Sequence, residues 1–259
     1  MTRGRRAAHA VVGVGLVLGL AACAGNHAPT APPALGGEVV VLAAASLTDA
    51  FGAIAEDFEA AHPGVTVTLS FGASSALARQ VVAGAPADVF AAASLATMRD
   101  VVDAGGAADD PTVFVRNRLQ IAVPAGNPGG VEDLADFADE DLTIALCAEQ
   151  VPCGAAAATA FEAAGVTPAP DTLEQDARAT LAKVRLGEVD AALVYRTDVL
   201  AAGDEVEGLD VAAADAAVND YPIVVLAEAP EPALAAAFVE FVLAETGRSV
   251  LADAGFELP

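Results

Sequence analysis

Apolar residues along the chain form short continuous runs, which alternate with stretches where they recur every three or four positions. Continuous runs are typical of strands covered on both faces, and the longer spacing is typical of amphipathic helices. The first elements predicted in this way are strand 39–42, helix 51–58, strand 65–69, helix 76–83, strand 88–92 and helix 95–104. This strand–helix alternation predicts a parallel sheet with helices on both faces.

A second set of α/β elements follows in the remainder of the chain. Its predicted strands are 119–124, 142–146, 191–195 and 222–226. Its predicted helices are 155–164, 178–186, 233–243 and 248–252. Two α/β units of this kind suggest a binding protein that closes like a clamp, although the fold pattern alone does not define a function.

The N-terminus carries the pattern of an export signal. Three arginines among the first six residues precede apolar residues 10–22, a run too short to span a bilayer as a helix. The run ends in Leu-Ala-Ala-Cys23, which resembles the lipobox of bacterial lipoproteins. We therefore predict a signal peptide at 1–22, followed by a lipidated Cys23 and a flexible tether over 23–37. The alternative is an ordinary signal peptide with an incidental cysteine.

The chain is strongly acidic, which narrows the classes of ligand. It carries 36 Asp+Glu against 12 Lys+Arg, a formal net charge of −24. Such a chain repels nucleic-acid phosphates and anionic lipids, so we expect no nucleic-acid partner and membrane contact only through the lipid anchor. An anion site in this chain must depend mainly on neutral hydrogen-bond donors. The three histidines are too few for a His-rich metal site.

Small and polar residues gather where predicted strands give way to helices. Ser46 and Ser74 follow the first two strands, and Cys153 and Ala177 lie at the starts of later helices. Helix starts offer free N–H groups and a positive dipole end, and several of them around one crevice would hold an anion without Lys or Arg. The alternative is that the serines only cap their own helices, with Ser46 and Asp49 at capping-box spacing.

Seven segments together resemble the molybdate-binding proteins of ABC importers, and the resemblance covers residues 38–259. The two most specific segments are Ala-Ala-Ala-Ser-Leu and Gly-Ala-Pro-Ala-Asp. The matching segments, in chain order, are 41–50 (Val-Leu-Ala-Ala-Ala-Ser-Leu-Thr-Asp-Ala), 74–80 (Ser-Ser-Ala-Leu-Ala-Arg-Gln), 84–90 (Gly-Ala-Pro-Ala-Asp-Val-Phe), 151–154, 176–181, 194–198 and 254–256.

The resemblance implies an α/β fold of the two-lobe type II periplasmic-binding-protein kind, with the ligand in the cleft between the lobes. Lobe I would contain residues 38–117 and 221–259, and lobe II residues 118–220. The protein would capture molybdate and also tungstate, use no cofactor, and deliver its ligand to the permease of an ABC importer. We expect a monomer that its lipid holds on the extracytoplasmic face of the cell membrane.

The resemblance also implies a ligand set. Ser46 and Ser74 would donate from their hydroxyl and N–H groups, Cys153 and Ala177 from the backbone N–H, and Tyr195 from its phenol. Cys153 stands where Ala is usual in the family, and Ala177 stands where Val is usual. Both are expected to act through the backbone, so these departures weaken the match little, although Ala177 would leave a slightly looser pocket.

The chemistry of the ligand agrees with such a set. Molybdate and tungstate are tetrahedral dianions with acceptor oxygens and no donor, so a site of donors suits them. Hydrogen phosphate would present a proton with no acceptor to receive it. Sulfate has the same charge and shape but is smaller, so its rejection depends on cavity size. A sulfate or other oxyanion carrier, and an exported enzyme or adhesion module, are the alternatives.

Catalytic residues are not evident. A serine hydrolase needs a base beside its serine, and His62 is the only histidine beyond the predicted tether. It precedes Pro63 and Gly64 at a predicted helix end that we expect to be exposed. Lys183 lacks the Ser-x-x-Lys spacing of a serine–lysine pair. We therefore predict a binding protein and not an enzyme.

Five further residues are assigned structural roles. Cys147 and Cys153 lie six positions apart in an exported chain, so a disulfide is plausible, with two free thiols as the alternative. Asp88 is expected to accept hydrogen bonds from nearby N–H groups. Arg178 is expected to pair with a carboxylate instead of reaching the anion. Tyr221 is interpreted as a hinge or packing residue.

Overall fold

The computed structural model describes residues 1, 2, 4, 9, 10 and 35–259. The predicted signal peptide, the lipidation site Cys23 and almost all of the tether therefore lie outside the residues that support a structural account. In the described part of the chain, no helix has both the length and the apolar character needed to cross a bilayer. The unit Ala34–Pro259 contains both sheets and the elements that follow.

Two five-stranded sheets organise the described residues. The strands, in chain order, are β1 (Gly37–Ala44), β2 (Val65–Gly72), β3 (Val89–Ala91), β4 (Thr112–Asn117), β5 (Leu119–Pro124), β6 (Ile144–Cys147), β7 (Thr172–Glu174), β8 (Ala191–Tyr195), β9 (Val206–Leu209) and β10 (Asn219–Val225). The first sheet has the order β2-β1-β3-β10-β4, and the second has the order β7-β6-β8-β5-β9.

Helices connect and cover these strands. They are α1 (Thr48–Ala61), α2 (Ser74–Val82), α3 (Leu95–Asp103), α4 (Pro152–Ala164), α5 (Ala177–Arg185), α6 (Arg196–Ala202), α7 (Pro232–Leu243) and α8 (Glu245–Asp253). Short 3₁₀ segments occur at Ala45–Leu47, Leu134–Ala138, Gly203–Glu205 and Ala212–Ala217. The sequence pattern missed β4, α6, β7 and β9, and of these the strands β7 and β9 are too short to show a clear period.

The core explains why the apolar runs fold as they do. Val39 and Val41 of β1 are fully buried, as the continuous run predicts. On α1, Phe51 and Phe58 are also fully buried, and both rings pack edge-on against Phe238 of α7, with centroids 6.2 and 5.4 Å apart. Burying an aromatic side chain of this size contributes about 1.5–3 kcal/mol, so these contacts fix α1 against α7.

The sheets are mixed, which corrects the prediction of a purely parallel sheet. β1 runs parallel to β2 and β3, and β6 runs parallel to β7 and β8, as predicted. However, β10 is antiparallel to both of its neighbours, and so is β5. The reason is that the chain enters the second sheet at β5 and returns to the first at β10, so these strands do not follow a right-handed crossover helix.

The two passages between the sheets lie side by side. Arg118 separates the end of β4 from the start of β5, and β10 begins at Asn219 after the chain returns. Asn117 and Asn219 are paired in register across β4 and β10. The lobe boundaries at 117/118 and 220/221 stay a prediction. This pairing brings the two passages close to the ends of strands from both sheets.

Asp88 is a structural carboxylate, as predicted. It is 1% exposed, and its Oδ2 accepts from the Val40 N–H at 2.8 Å. Its Oδ1 accepts from the Glu231 N–H at 2.7 Å. One side chain thus joins β1 to the start of α7.

Replacing Asp88 with Ala should leave both N–H groups without their acceptor. Hydrogen bonds to charged groups contribute more than neutral ones, so Asp88→Ala should lower the free energy of unfolding by about 2–4 kcal/mol. Urea unfolding followed by circular dichroism measures this change. The exposed Asp103, at the end of α3, provides the matched control, and Asp103→Ala should change the value by less than about 0.5 kcal/mol. Equal midpoints for the two variants would contradict the structural role of Asp88.

Candidate functional site

A small cavity lies where strands of both sheets end. Its volume is about 20 Å³, measured as the space open to the centre of a water molecule, which suits an ion and not a sugar or a peptide. All five residues of the expected ligand set line it, and they are Ser46, Ser74, Cys153, Ala177 and Tyr195. The remaining lining residues are Ala44, Ala45, Gly72, Ala73, Ala93, Val151, Pro152 and Asp176. The structure therefore brings the sequence-predicted residues together from segments far apart in the chain.

Four helical segments begin at this cavity. The 3₁₀ turn at Ala45–Leu47 leads into α1, and α2, α4 and α5 begin beside the other lining residues. No side-chain hydrogen bond caps the first three of these starts, at Ala44, Ala73 and Val151. The first N–H groups of a helix have no partner within it and carry its positive dipole end. They are therefore available to an acceptor in the cavity.

The serines do not cap their own helices, so the capping alternative is wrong. Ser46 Oγ lies 2.9 Å from the Tyr221 hydroxyl, and Asp49 pairs with Arg178 instead of completing a capping box. Ser74 Oγ accepts a hydrogen bond from the Ala93 N–H at 2.9 Å. Both serines are buried, at 5% and 1% exposure, so their hydroxyls have only the cavity and these partners to face.

Two of the hydroxyls receive a hydrogen bond from the protein, which leaves their own protons free. Ser74 Oγ accepts from a backbone N–H, as described above. Tyr195 Oη lies 2.8 Å from Asn219 Nδ2, an atom that only donates. A hydroxyl has one proton, and accepting a bond does not use it. Ser74 and Tyr195 can therefore each donate to a ligand in the cavity.

A second chain of contacts supports Ser46. Asn117 Nδ2 donates to Thr197 Oγ1 at 2.9 Å and, over a longer distance of 3.4 Å, to Tyr221 Oη. Either hydroxyl can donate across the 2.9 Å between Tyr221 Oη and Ser46 Oγ. When Tyr221 donates, Ser46 has its own proton for the cavity.

Burial keeps both tyrosines protonated. Desolvation of the fully buried side chains raises the pKa of Tyr195 and the pKa of Tyr221 well above the usual value for a phenol. The two hydroxyls therefore remain donors over the whole physiological pH range.

No cation takes part in the cavity wall. Of the described residues that line it, none is Lys or Arg. Arg178 follows Ala177 directly, but its guanidinium pairs with Asp49, and its Nε lies 3.2 Å from Asp198 Oδ1. The prediction that Arg178 pairs with a carboxylate is confirmed. The site consists of neutral donors, together with the Asp176 carboxylate, which accepts from the Ala179 N–H at 2.8 Å.

A disulfide joins Cys147 to Cys153, with Cα atoms 5.8 Å apart. It closes the turn between β6 and α4 that presents the Cys153 N–H. Gly154 is required in this turn, because a Cβ there would lie 2.0 Å from the carbonyl oxygen of Ala148. The described residues contain no cluster of three or more His, Cys, Asp or Glu that could hold a metal ion.

Sequence reasoning missed three residues that support the site. Asn117 and Asn219 were not singled out, and Tyr221 was interpreted only as a hinge or packing residue. The available signal was a polar residue at the end or start of an otherwise apolar strand. That signal does not show which hydroxyls these residues contact.

Asp198 is the most perturbed acid near the site. It is fully buried, its Oδ2 accepts from the Tyr195 N–H at 3.3 Å, and Arg178 provides its counter-charge. Loss of hydration dominates over the attraction of Arg178 and raises the pKa of Asp198 to about 7.

Comparison with known proteins agrees with this geometry. Over residues 39–257 the chain matches the family described as Bacterial extracellular solute-binding protein. The molybdate-binding protein ModA of Mycobacterium tuberculosis (strain ATCC 25618 / H37Rv) is 41% identical over 247 residues, which are 94% of this chain and 95% of that protein. The resemblance found in the sequence motifs is confirmed.

Two further comparisons concern the anchor and the fold. A Bacillus subtilis (strain 168) protein provisionally named ABC transporter substrate-binding lipoprotein YvgL is 29% identical over 223 residues, 84% of this chain and 85% of that protein. The solved structure of the periplasmic molybdate-binding protein of Azotobacter vinelandii matches with a TM-score of 0.72 at 19% identity, covering 85% of this chain and 99% of that one. The predicted two-lobe α/β fold of periplasmic binding proteins is confirmed by this likeness.

The buried Asp198 should make stability depend on pH. Its pKa is higher in the folded chain than in the unfolded one, so its stabilising contribution is complete at acid pH and is lost as the pH rises from about 4 to about 7. Asp198→Asn should remove this loss. The free energy of unfolding of the variant, relative to wild type, should rise over this window by at most about 1.4 kcal/mol per pH unit.

Urea unfolding at several pH values measures the difference. Asp110→Asn, at an exposed position that forms no ion pair with any described residue, controls for the change in net charge. If the free energies of unfolding of Asp198→Asn and wild type differ by a constant amount over this pH window, the raised pKa of Asp198 is contradicted.

Proposed function

The chain belongs to the bacterial extracellular solute-binding proteins, and from that premise we propose that it captures molybdate outside the cell membrane for an ABC importer. The prediction of a binding protein and not an enzyme agrees with the family, whose relatives are solute-binding transport proteins. The observation that carries the proposal is the convergence of uncapped helix starts and free hydroxyl protons on a cavity without a cation.

The ligand must be a small anion with several acceptor atoms. A cavity of about 20 Å³ leaves space for an ion. The donors that face it come from both sheets, so they surround the ligand instead of binding one side of it. A tetrahedral dianion accepts from all of these directions and has no proton that would lack an acceptor.

Neutral donors have a further advantage for a site that is alternately empty and filled. A buried Lys or Arg would be left without a counter-charge whenever the anion departs, at a large desolvation cost. N–H groups at helix starts and phenol or serine hydroxyls have no such cost. The net charge of −24 repels the anion over distances at which salt screens it, whereas the helix dipoles attract the anion within the first helical turn.

Molybdate is preferred over other oxyanions on the combined support of the site and the relatives. The relative with 41% identity is named for molybdate. Tungstate has the same charge and geometry, so the same donors should hold it. Sulfate can accept from the same donors but is smaller, so the preference for molybdate over sulfate depends on contact distances in the cavity.

Closure of the two lobes would complete the site. Arg178 of α5 pairs with Asp49 of α1, and these helices belong to different sheets. Its neighbour Ala177 lines the cavity, so the ion pair and the donor are adjacent. We expect the anion and this pair to favour the closed form together, which the permease of the importer would then engage.

The lipid anchor at Cys23 completes the proposal. The lipobox resemblance of Leu-Ala-Ala-Cys23 supports it, and so does the relative named as a lipoprotein. Removal of residues 1–22 and lipidation of Cys23 would leave the tether 23–37 between the membrane and the folded unit. The ligand site depends neither on this anchor nor on the expected monomeric state.

Isothermal titration calorimetry of the purified protein with molybdate, tungstate, sulfate and phosphate tests the function. We expect binding heat with molybdate and tungstate and none at comparable concentrations with phosphate. Binding of sulfate with equal affinity would make the protein a general oxyanion carrier. Absence of heat with all of the oxyanions would contradict the proposal and favour a different function for the fold.

Two adjacent serines provide a matched test of the ligand set. Ser74→Ala removes a hydroxyl that lines the cavity and should weaken molybdate binding by about 10- to 150-fold, the value of one hydrogen bond to a charged group. Ser75→Ala removes a buried hydroxyl that has no hydrogen-bond partner among the described residues and does not line the cavity. The dissociation constant of Ser75→Ala for molybdate should stay close to that of wild type. Equal losses for the two variants would mean that the assignment of this turn is wrong by one residue.

Cys23→Ser should release the protein from the membrane fraction or block its processing, because serine offers no thiol for the lipid. Fractionation of the producing cells and mass spectrometry of the N-terminus measure this. Molybdate affinity of the released protein should equal that of wild type. Unchanged membrane association with normal maturation would argue against lipidation.

A further inference from the structure

Two asparagines lie at the passages between the sheets. Asn117 ends β4 and Asn219 begins β10, and the two are paired in register. Asn117 is 1% exposed and Asn219 is half-buried. Neither lines the cavity, yet each contacts a tyrosine hydroxyl next to it.

The contacts of Asn219 fix which of its amide atoms faces Tyr195. Its Nδ2 donates to the Ala93 carbonyl oxygen at 2.7 Å and to Tyr195 Oη at 2.8 Å. The reversed amide would place Oδ1 against the carbonyl oxygen of Ala93, and two acceptors in contact repel each other. The nitrogen therefore faces both partners, and both of its hydrogens are used.

This arrangement sets the direction of the Tyr195 hydroxyl. Because Nδ2 has no acceptor capacity, the phenol oxygen must accept, and the phenol proton cannot point to Asn219. Tyr195 lines the cavity, so that proton is available to a ligand there, with the neighbouring Tyr221 hydroxyl as the other acceptor within reach.

The same amide is connected to Ser74 through one peptide. The Ala93 carbonyl accepts from Asn219, and the Ala93 N–H donates to Ser74 Oγ at 2.9 Å. Asn219 thus holds the peptide that leaves the Ser74 proton free, as well as the phenol. One side chain is linked to a donor from each sheet.

We propose that Asn219 is the positioning residue of the oxyanion site: its amide nitrogen takes the acceptor side of the Tyr195 hydroxyl and so leaves the phenol proton to be donated to the ligand. This inference rests on the proposed function, because the ligand of Tyr195 is the oxyanion. It adds a residue outside the cavity wall that decides whether an acceptor-only anion is recognised.

A double-mutant cycle with Tyr195→Phe tests this role. Alone, Asn219→Ala should weaken molybdate binding by about tenfold, and Tyr195→Phe by about 10- to 150-fold. In the Tyr195→Phe background, Asn219→Ala should weaken molybdate binding clearly less, because the hydroxyl that Asn219 orients is gone. An equal loss of molybdate affinity on Asn219→Ala in both backgrounds would overturn the proposal.

The isosteric variant Asn219→Asp gives a second readout that a purely structural role would not change. An ionised carboxylate accepts the Tyr195 proton and withdraws it from the cavity, so affinity at neutral pH should fall by more than in Asn219→Ala. Protonation of the carboxyl restores a donor. The ratio of the dissociation constants of variant and wild type should therefore fall as the pH is lowered from about 8 to about 5.

Controls separate this inference from the proposed function. Asn127→Asp makes the same chemical change in a loop, where among the described residues the side chain hydrogen-bonds to Val131 alone. The ratio of dissociation constants for this variant should stay constant with pH. Melting temperatures of all variants without ligand identify any that fail to fold, and Asn219→Asp preserves the shape if Asn219→Ala does not fold. Wild type that binds no oxyanion would overturn the function itself. If wild type binds an oxyanion but the mutant cycle is additive, only the role of Asn219 is overturned. The same holds if the ratio of dissociation constants for Asn219→Asp does not change with pH.

Discussion

An anion that only accepts hydrogen bonds requires that the polar atoms in contact with it be donors. In a buried site the requirement is strict, because a mismatched acceptor or an unpaired charge is not relieved by water. This chain has few cations, and the described residues that line the cavity include no Lys or Arg. The site therefore depends on fixing the direction of neutral dipoles.

Two features of the fold satisfy that requirement. Strand ends from both sheets place the first turns of helices at one point, and the direction of their N–H groups is fixed by the backbone. Hydroxyls can rotate, and they need a partner that decides their direction. Asn219 and the Ala93 N–H provide such partners for Tyr195 and Ser74. Asn219 begins β10, where the chain re-enters the first sheet, and Ala93 follows β3.

The residues of the candidate site could be predicted from sequence, and their supporting contacts could not. Ser46 and Ser74 stand at strand-to-helix turns, which is a local pattern, and all five expected residues line one cavity. The Ser46–Tyr221 contact joins residues 175 positions apart, and no local pattern reports it. For the same reason the alternative that Ser46 only caps its own helix was wrong. The antiparallel direction of β10 depends on where the chain re-enters the first sheet, which the apolar pattern does not show.

The central claim is that the oxyanion is held in this cavity by neutral donors from both sheets. Anomalous diffraction from crystals of the molybdate complex, recorded at the molybdenum absorption edge, tests it most directly because it locates the metal atom without reference to the protein. The account predicts one strong peak in the cavity, with ligand oxygens at hydrogen-bond distance from Ser46, Ser74, Cys153, Ala177 and Tyr195. A peak elsewhere, or an oxyanion bound directly by Arg178 or another cationic side chain, would contradict it.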